Sequence, residues 1–126
     1  MIKYKFKPKK KILFLTYKGR IEEIEIFELY KKLFEDERLP ENLLIFQDEN
    51  KAEFIQSEKL INVSLDLIKK LKEKFNSIKI AVWQNDPIKT AYSYLYKEMT
   101  TDNQYEIEIF FTKEAALVWL KEKKSK

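Results

Sequence analysis

The chain has 126 residues, 44% of them hydrophobic, with nine Phe, seven Tyr and two Trp, and its net charge is +4. This length and apolar content fit one domain with a substantial core. We therefore expect a single domain over residues 1–126, with residues 121–126 as a frayed, lysine-rich tail. The sequence contains no His and no Cys, which excludes Ser-His-Asp and Cys-His catalytic groups, disulfides and zinc sites made of those ligands. Its lone glycine, Gly19, excludes the glycine-rich loops that bind dinucleotides and phosphates.

The same features bear on location and on nucleic acids. No apolar stretch approaches the ~20 residues that span a bilayer, and lysines interrupt the beginning of the chain where a signal peptide would be apolar. We expect a cytoplasmic protein without a transmembrane segment. Of 25 basic residues, Arg20 and Arg38 are the only arginines. Because nucleic-acid sites favour the bidentate arginine fork, this lysine excess is typical of a solvated surface, and no nucleic-acid partner is expected.

In chain order, the first predicted feature is a hairpin. Residues 2–7 alternate strictly between apolar side chains and lysines, which predicts a strand with one charged face, as suits the edge of a sheet. Pro8 interrupts it. Residues 12–17 then predict a more buried second strand, antiparallel to the first and closed by Gly19.

A helix is predicted next, from about Ile21 to Glu37, with glutamates in its first turn, where the helix dipole favours anions. Leu43–Phe46 is a continuous apolar run, typical of a central strand covered on both faces, and it ends at Gln47 and Asp48. Residues 48–56 have the composition of a polar loop.

The second half of the chain alternates between helices and strands. Ser57 is a plausible N-cap for a helix over residues 58–75. The predicted elements that follow are a strand over 78–83, a helix from Pro87 to about Thr100, a strand over 105–111 and a final helix that begins at Thr112. Asp86 can cap the helix that starts at Pro87, because proline suits the first helical position.

The helix from Pro87 carries three tyrosines. Tyr92 and Tyr96 share a helical face with Leu95 and Met99, which predicts a core stripe. Tyr94 lies off that stripe and is expected to be exposed, where it could serve a partner surface or a homodimer.

The order of elements is therefore ββαβαβαβα. Strands and helices alternate after the hairpin, which predicts an α/β fold: one mostly parallel sheet flanked by helices, with an N-terminal antiparallel hairpin. The order of the strands within the sheet stays open.

In open α/β sheets, ligands bind beyond the carboxyl ends of the strands. In this chain those ends carry seven polar residues: Gln47, Asp48, Glu49, Asn50, Gln84, Asn85 and Asp86. All of them could line a polar crevice, and all except Gln84 are the candidate ligand- or partner-binding residues. The alternative is purely structural, with Asp48 and Asn50 shaping a turn and Asp86 capping a helix.

The same strand ends also offer possible ligands for a metal ion. Asp48 with Glu49, Glu53 or Asp86 offers oxygen ligands of the kind that Mg²⁺ and Ca²⁺ prefer. The spacing of a calcium-binding loop is absent, so no metal and no cofactor are predicted.

Nearly the whole chain resembles the small bacterial SpoIIAA-like proteins, which are relatives of the STAS domain (sulfate transporter and anti-sigma factor antagonist) and, more distantly, of the CRAL-TRIO lipid-binding fold. The carrying features are the hairpin closed by Gly19 before an acidic helix, the buried strand that ends at Asp48, and Asn85-Asp86-Pro87 after the next strand. The most specific is the closing pattern over residues 109–120, a strand followed by acid, Ala, Ala, Leu, Val, Trp and Leu.

This resemblance implies a sheet built of βα units and non-enzymatic work, either protein–protein regulation or binding of a small or lipid-like ligand. STAS antagonists are switched by phosphorylation of a serine in the turn after the buried strand. Here residues 48–52 read Asp-Glu-Asn-Lys-Ala, with no Ser or Thr before Ser57. We therefore expect a STAS-like module without the phosphoserine switch.

Three functions remain open from the sequence. The first is a non-enzymatic binding or regulatory module that uses the polar strand ends against an unknown protein partner. The second is a carrier of a small lipid-like or other apolar ligand between sheet and helices. The third is an enzyme that uses only carboxylate, lysine or tyrosine groups, and it is the least favoured.

Overall fold

The computed structural model describes residues 1–54 and 58–122. In these ranges the chain forms five strands and four helices. The strands are β1 (Ile2–Lys7), β2 (Ile12–Ile21), β3 (Asn42–Phe54), β4 (Ser77–Trp83) and β5 (Tyr105–Phe110). The helices are α1 (Glu23–Glu35), α2 (Glu58–Lys74), α3 (Pro87–Thr100) and α4 (Lys113–Lys121). The order ββαβαβαβα agrees with the prediction.

The five strands make one sheet in the spatial order β1-β2-β3-β4-β5. β1 pairs with β2 antiparallel, and the remaining neighbours are all parallel. Each successive strand is added on the same side of its predecessor. Because crossovers between parallel strands are right-handed, such an order places all the crossover helices on one face of the sheet.

Two apolar clusters follow from this arrangement. The larger lies between the sheet and the crossover helices and includes Leu15, Ile45 and Ile80 from the strands and Leu33 and Leu71 from the helices. The smaller lies on the opposite face, where α4 contributes its two buried residues, Ala116 and Leu120. Phe46 and Trp83 pack there with ring centroids 6.3 Å apart. The sheet is therefore covered on both faces, as the apolar run of β3 predicted.

The junction between β2 and α1 differs from the prediction. Gly19 does not close β2, since the strand continues to Ile21, which is buried. Gly19 lies inside the strand with φ of 67°, in the left-handed region that favours glycine. The helix then begins at Glu23, where the Glu25 carboxylate accepts a hydrogen bond of 2.8 Å from the Glu22 N–H.

The predicted polar loop after Phe46 is wrong for residues 48–54. β3 continues to Phe54 and pairs with β2 as far as Ile21. β4 pairs with β3 only up to Asp48, so the last part of β3 belongs to a two-stranded ribbon that projects beyond the sheet. Polar side chains are tolerated there because much of the ribbon faces solvent, which explains why its composition resembles that of a loop.

The inward face of α3 also differs from the prediction. Leu95 and Met99, expected in the core, are 53% and 50% exposed. The helix instead turns the polar residues Thr90, Ser93 and Lys97 inward, and the Lys97 ammonium lies 2.7 Å from the Glu108 carboxylate of β5. Tyr94 is 46% exposed, as predicted. The side chains of Tyr92 and Tyr96 are not described.

The remaining element bounds agree with the predicted ones to within two residues, and Thr112 caps α4 by accepting a hydrogen bond from the Ala115 N–H at 3.1 Å. Ser57, the predicted cap of α2, lies outside the described residues. Of the predicted tail, Lys121 is the last residue of α4, while residues 123–126 lie outside the described ranges.

Candidate functional site

The predicted site residues do not lie together in loops. Gln47, Asp48, Glu49 and Asn50 are consecutive residues within β3, whereas Asn85 and Asp86 follow β4 and are exposed. The two groups meet at one point, where the Asn85 N–H donates to the Asn50 side-chain oxygen at 2.9 Å. The structure therefore corrects the predicted position of the first four residues and leaves their role in binding as a prediction.

Several of these side chains hold the strand ends together. Asp48 Oδ1 accepts from the backbone N–H and the side-chain amide of Asn50, both at 3.1 Å. Gln84, which is buried, donates to the Glu49 carbonyl at 3.1 Å and accepts from the Asp86 N–H at 3.0 Å. These bonds extend the contact between β3 and β4 beyond the last backbone pair. Their role is therefore structural.

Asp86 is a helix cap, as the structural alternative predicted. Its Oδ1 accepts from the N–H groups of Ile88 and Lys89 at 2.9 and 3.4 Å, and Pro87 occupies the first helical position. The first turn of α3 is thereby fixed, and with it the side chains of Ile88 and Lys89.

β3 contains a β-bulge at Glu49 and Asn50, just beyond the point where it stops pairing with β4. Thr16 lies opposite Asp48 and Lys18 lies opposite Lys51, so two residues of β3, Glu49 and Asn50, face one residue of β2. Bulges re-aim side chains and are frequent next to functional sites. Before the bulge, Glu49 continues the inward alternation of Ile45 and Gln47 and is buried, with its Oε2 accepting from the Gln47 amide at 2.7 Å. After the bulge the phase changes, and Ala52 is the buried residue.

Glu49 and Gln47 line a cavity of about 440 Å³ between the sheet and the three crossover helices. Small-molecule sites in proteins usually measure about 300–1,000 Å³ and are mostly apolar. Of the described residues that line this cavity, six are polar, and the others are aliphatic or tyrosine. The polar ones are Gln47, Glu49, Glu53, Ser64, Lys89 and Ser93.

The cavity has an apolar end and a polar end. Ile78 and Tyr105, at the amino ends of β4 and β5, are 1% and 2% exposed, and they form the inner end together with Leu33 and Leu71. Ile88, 71% exposed, and Glu53 lie at the opposite end, where the strands finish. From Ile78 to Val82 the wall runs along four residues of strand, or about 13 Å. The cavity thus resembles a site for an elongated molecule whose polar end faces the mouth.

Burial controls the protonation of the cavity's ionisable groups. It raises the pKa of Glu49 to about 7, and the nearby Asp48 carboxylate acts in the same direction, while the Gln47 hydrogen bond and the Lys89 ammonium oppose the rise. Burial also raises the pKa values of the Tyr17 and Tyr105 phenols well above the usual range. Near neutral pH, therefore, Glu49 exchanges readily between its neutral and charged forms, and both phenols are neutral.

Lys89 is the cation that lines the cavity among the described residues, and the sequence analysis missed it. Its ammonium donates to the Ala52 carbonyl and so ties α3 to the projecting ribbon of β3. Nothing in the hydrophobic pattern of α3 marks this lysine, because the inward face of that helix is polar.

Neither a metal site nor a membrane span emerges. Within residues 1–54 and 58–122, no three acidic side chains converge in a way that could bind a metal ion. No described helix has the length and apolar content to cross a bilayer.

The fold has a counterpart among solved structures. It is similar to an uncharacterised protein from Shewanella loihica PV-4, of the DUF3478 family with a SpoIIAA-like fold. The TM-score is 0.65 at 16% sequence identity, over 95% of this chain and 92% of that chain. No family model matches this sequence, and no curated protein matches it. The chain therefore has a SpoIIAA-like α/β fold, as the resemblance implied.

Proposed function

We propose that this protein is a non-enzymatic binding module that holds a small, elongated and largely apolar ligand in the cavity between its sheet and crossover helices. The observation that carries the proposal is the cavity itself, about 440 Å³ in volume and walled mostly by aliphatic side chains. Natural cores are close-packed, with few voids larger than a water molecule. A cavity of this size in a 126-residue chain is better explained by an occupant than by imperfect packing.

The topology of the sheet supports this location over the crevice beyond the strand ends. That crevice forms at a topological switch point, where successive crossovers leave for opposite faces. The order β1-β2-β3-β4-β5 contains no reversal. The polar residues at the strand ends are also engaged with one another, as in the 2.9 Å bond from Asn85 to Asn50.

The chemistry of the wall favours binding over turnover. Catalysis by general acids and bases needs groups that converge on one reacting atom. The cavity brings Glu49 and Lys89 to its polar end, but the Lys89 ammonium donates to a backbone carbonyl and the Glu49 carboxylate accepts from Gln47. Both side chains have structural partners, which suits a site that orients a ligand.

A dye-binding experiment tests the proposal. Ser64 lines the cavity from α2 and is half-buried, so Ser64→Phe should fill the space without displacing a core residue. We expect the neutral dye N-phenyl-1-naphthylamine to bind the unmodified protein with one site and to bind Ser64→Phe at least about tenfold more weakly, which corresponds to about 1.4 kcal/mol of lost apolar contact.

The matched control is Asn62→Phe, which adds the same ring to an exposed position of the same helix. It should leave the affinity for the dye unchanged. The proposal is wrong if the unmodified protein does not bind the dye, or if Ser64→Phe, shown to be folded by its unfolding transition, binds it as tightly as Asn62→Phe does.

A further inference from the structure

We propose that the ligand of this cavity is an amphiphile with a cationic amine head group, which the carboxylate of Glu49 binds. This inference rests on the proposed function and adds the charge of the ligand's polar end to it. Three features of the cavity carry it: the direction of the Glu49 side chain, the balance of charge at the polar end and the separation of that end from the apolar one.

The direction of Glu49 is set by the backbone. Ile45, Gln47 and Glu49 occupy alternate positions of β3 and face the helices, so the Glu49 carboxylate lines the cavity while the residue is only 9% exposed. A buried carboxylate is costly unless it is paired. Its Oε2 accepts from the neutral Gln47 amide at 2.7 Å, which supplies a hydrogen bond but no opposite charge.

The balance of charge at the polar end is negative. Glu49 and Glu53 line the cavity there, and Asp48 lies next to Glu49 in the chain. The opposing charge is Lys89, whose ammonium already donates to the Ala52 carbonyl. An ammonium head group would supply the missing positive charge, whereas a carboxylate head group would place a second anion beside Glu49.

The apolar end of the cavity determines the chemical character of the ligand beyond its head group. The walls around Ile78, Ile80 and Leu71 offer aliphatic contacts and are buried. A saturated chain attached to an amine matches both ends of the cavity. Burial outweighs the Gln47 hydrogen bond and the nearby Lys89 ammonium and raises the pKa of Glu49 to about 7, so a further cation beside this carboxylate would be favourable.

Isothermal titration calorimetry with three ligands of equal chain length tests the inference: decylamine, 1-decanol and decanoate, each below its micelle concentration at pH 8. We expect decylamine to bind at least about tenfold more tightly than the other two, since a charge-assisted hydrogen bond is stronger than one between neutral groups. The net charge of the protein is +4, so non-specific attraction would favour decanoate instead.

Two variants locate the effect. Glu49→Gln should remove the preference for decylamine while changing the affinity for 1-decanol less than about threefold, because the apolar contacts remain. Glu98→Gln, at an exposed position of α3, should leave the preference intact. If Glu49→Gln retains the preference for decylamine, the inference is wrong.

A pH series on the unmodified protein gives an independent test. Decylamine keeps its charge from pH 8 to 5.5, whereas Glu49 becomes protonated below about pH 7. Affinity for decylamine should therefore fall about tenfold across this range, while affinity for 1-decanol stays constant.

The other ionisable groups that face Glu49 or line the cavity are Tyr17, Tyr30, Asp48, Glu53, Lys89 and Tyr105. Burial raises the pKa values of the Tyr17 and Tyr105 phenols well above their usual range, and the described residues of α2 that line the cavity carry no charge.

The outcomes separate the inference from the proposed function. If none of the three ligands binds, both are overturned. If 1-decanol binds but decylamine has no advantage, the cavity remains a ligand site and only the cationic head group is wrong. An affinity for decylamine that is independent of pH contradicts the role of Glu49.

Discussion

Glu49 is the residue where stability and the proposed binding function oppose each other. Its carboxylate is buried beside apolar side chains, so the folded state binds a proton that the unfolded chain releases at the ordinary glutamate pKa. Ionising this group in the folded protein therefore costs free energy. Such a cost is typical of functional sites, where a local rule of folding is broken for the sake of binding.

The sign of the pH effect follows from the raised pKa. Between about pH 4.5 and 7 the folded state holds more protons at Glu49 than the unfolded state, so this group lowers the free energy of unfolding as the pH rises, by about 3 kcal/mol in total. Above about pH 7 its contribution is constant. Glu49→Gln removes the titration and retains an oxygen that can accept from Gln47.

We therefore expect Glu49→Gln to be more stable than the unmodified protein at pH 8, by about 1–3 kcal/mol, and to lose most of that advantage at pH 5. Urea denaturation of both proteins at the two pH values measures the difference between their free energies of unfolding. Groups elsewhere titrate alike in both proteins, so their contributions cancel in this difference. Glu98→Gln serves as the control and should show no change. If the gain in stability of Glu49→Gln over the unmodified protein were smaller at pH 8 than at pH 5, the assigned environment of Glu49 would be contradicted.

Glu49 is a predicted site residue, but the sequence does not reveal the direction of its side chain. Four polar residues in a row, Gln47 to Asn50, give no alternation from which to infer which side chains point inward. Glu49 faces inward with Ile45 and Gln47 because of how β3 lies between its neighbouring strands and the helices, which is a matter of tertiary contacts. Lys89 could not be found either, since it reaches the Ala52 carbonyl across 37 residues of chain.

At the scale of elements, α3 shows how a cap positions part of the site. Asp86 accepts from the first N–H groups of the helix, and the turn that it fixes carries Ile88 and Lys89 at the polar end of the cavity. The cap was predictable from the Asp-Pro pair because both residues have a known positional preference. The inward polar face of the same helix was not, because hydrophobic spacing assigned its apolar residues to the core.

Removing the cap should destabilise the protein. We expect Asp86→Ala to lower the free energy of unfolding by about 1 kcal/mol, because two N–H groups at the start of α3 lose their acceptor. Asp86→Asn keeps an acceptor oxygen and should cost less. Urea denaturation at pH 7 compares the two, and equal losses for Asn and Ala would show that the hydrogen bonds contribute nothing measurable.

β3 marks the limit of predicting element length from composition. Its first part, Leu43–Phe46, is apolar because both faces of the sheet are covered there, and it was predicted correctly. Its second part pairs with β2 alone, where exposure permits lysine and acids. The length of a strand that projects beyond its sheet depends on a partner strand, and residue composition does not reveal it.

At the scale of the whole molecule, the sequence of elements and the mostly parallel sheet followed from the alternation of strand and helix patterns. The strand order did not, and that order places the three crossover helices on one face. The cavity is still harder to predict from the sequence, since its volume depends on the distance between those helices and the sheet. Apolar patterns show which side chains face the interior, and they do not show whether the interior is filled.

The most direct test of the central claim is an NMR measurement of contacts between isoleucine methyl groups and the alkyl chain of bound 1-decanol, a neutral ligand that leaves the question of the head group aside. We predict intermolecular NOEs from the chain to Ile78, Ile80 and Ile107, which line the cavity. Ile12, buried on the opposite face of the sheet, should show none. At saturating 1-decanol, an absence of NOEs to the three cavity residues, or contacts confined to exposed Ile24, would contradict the account.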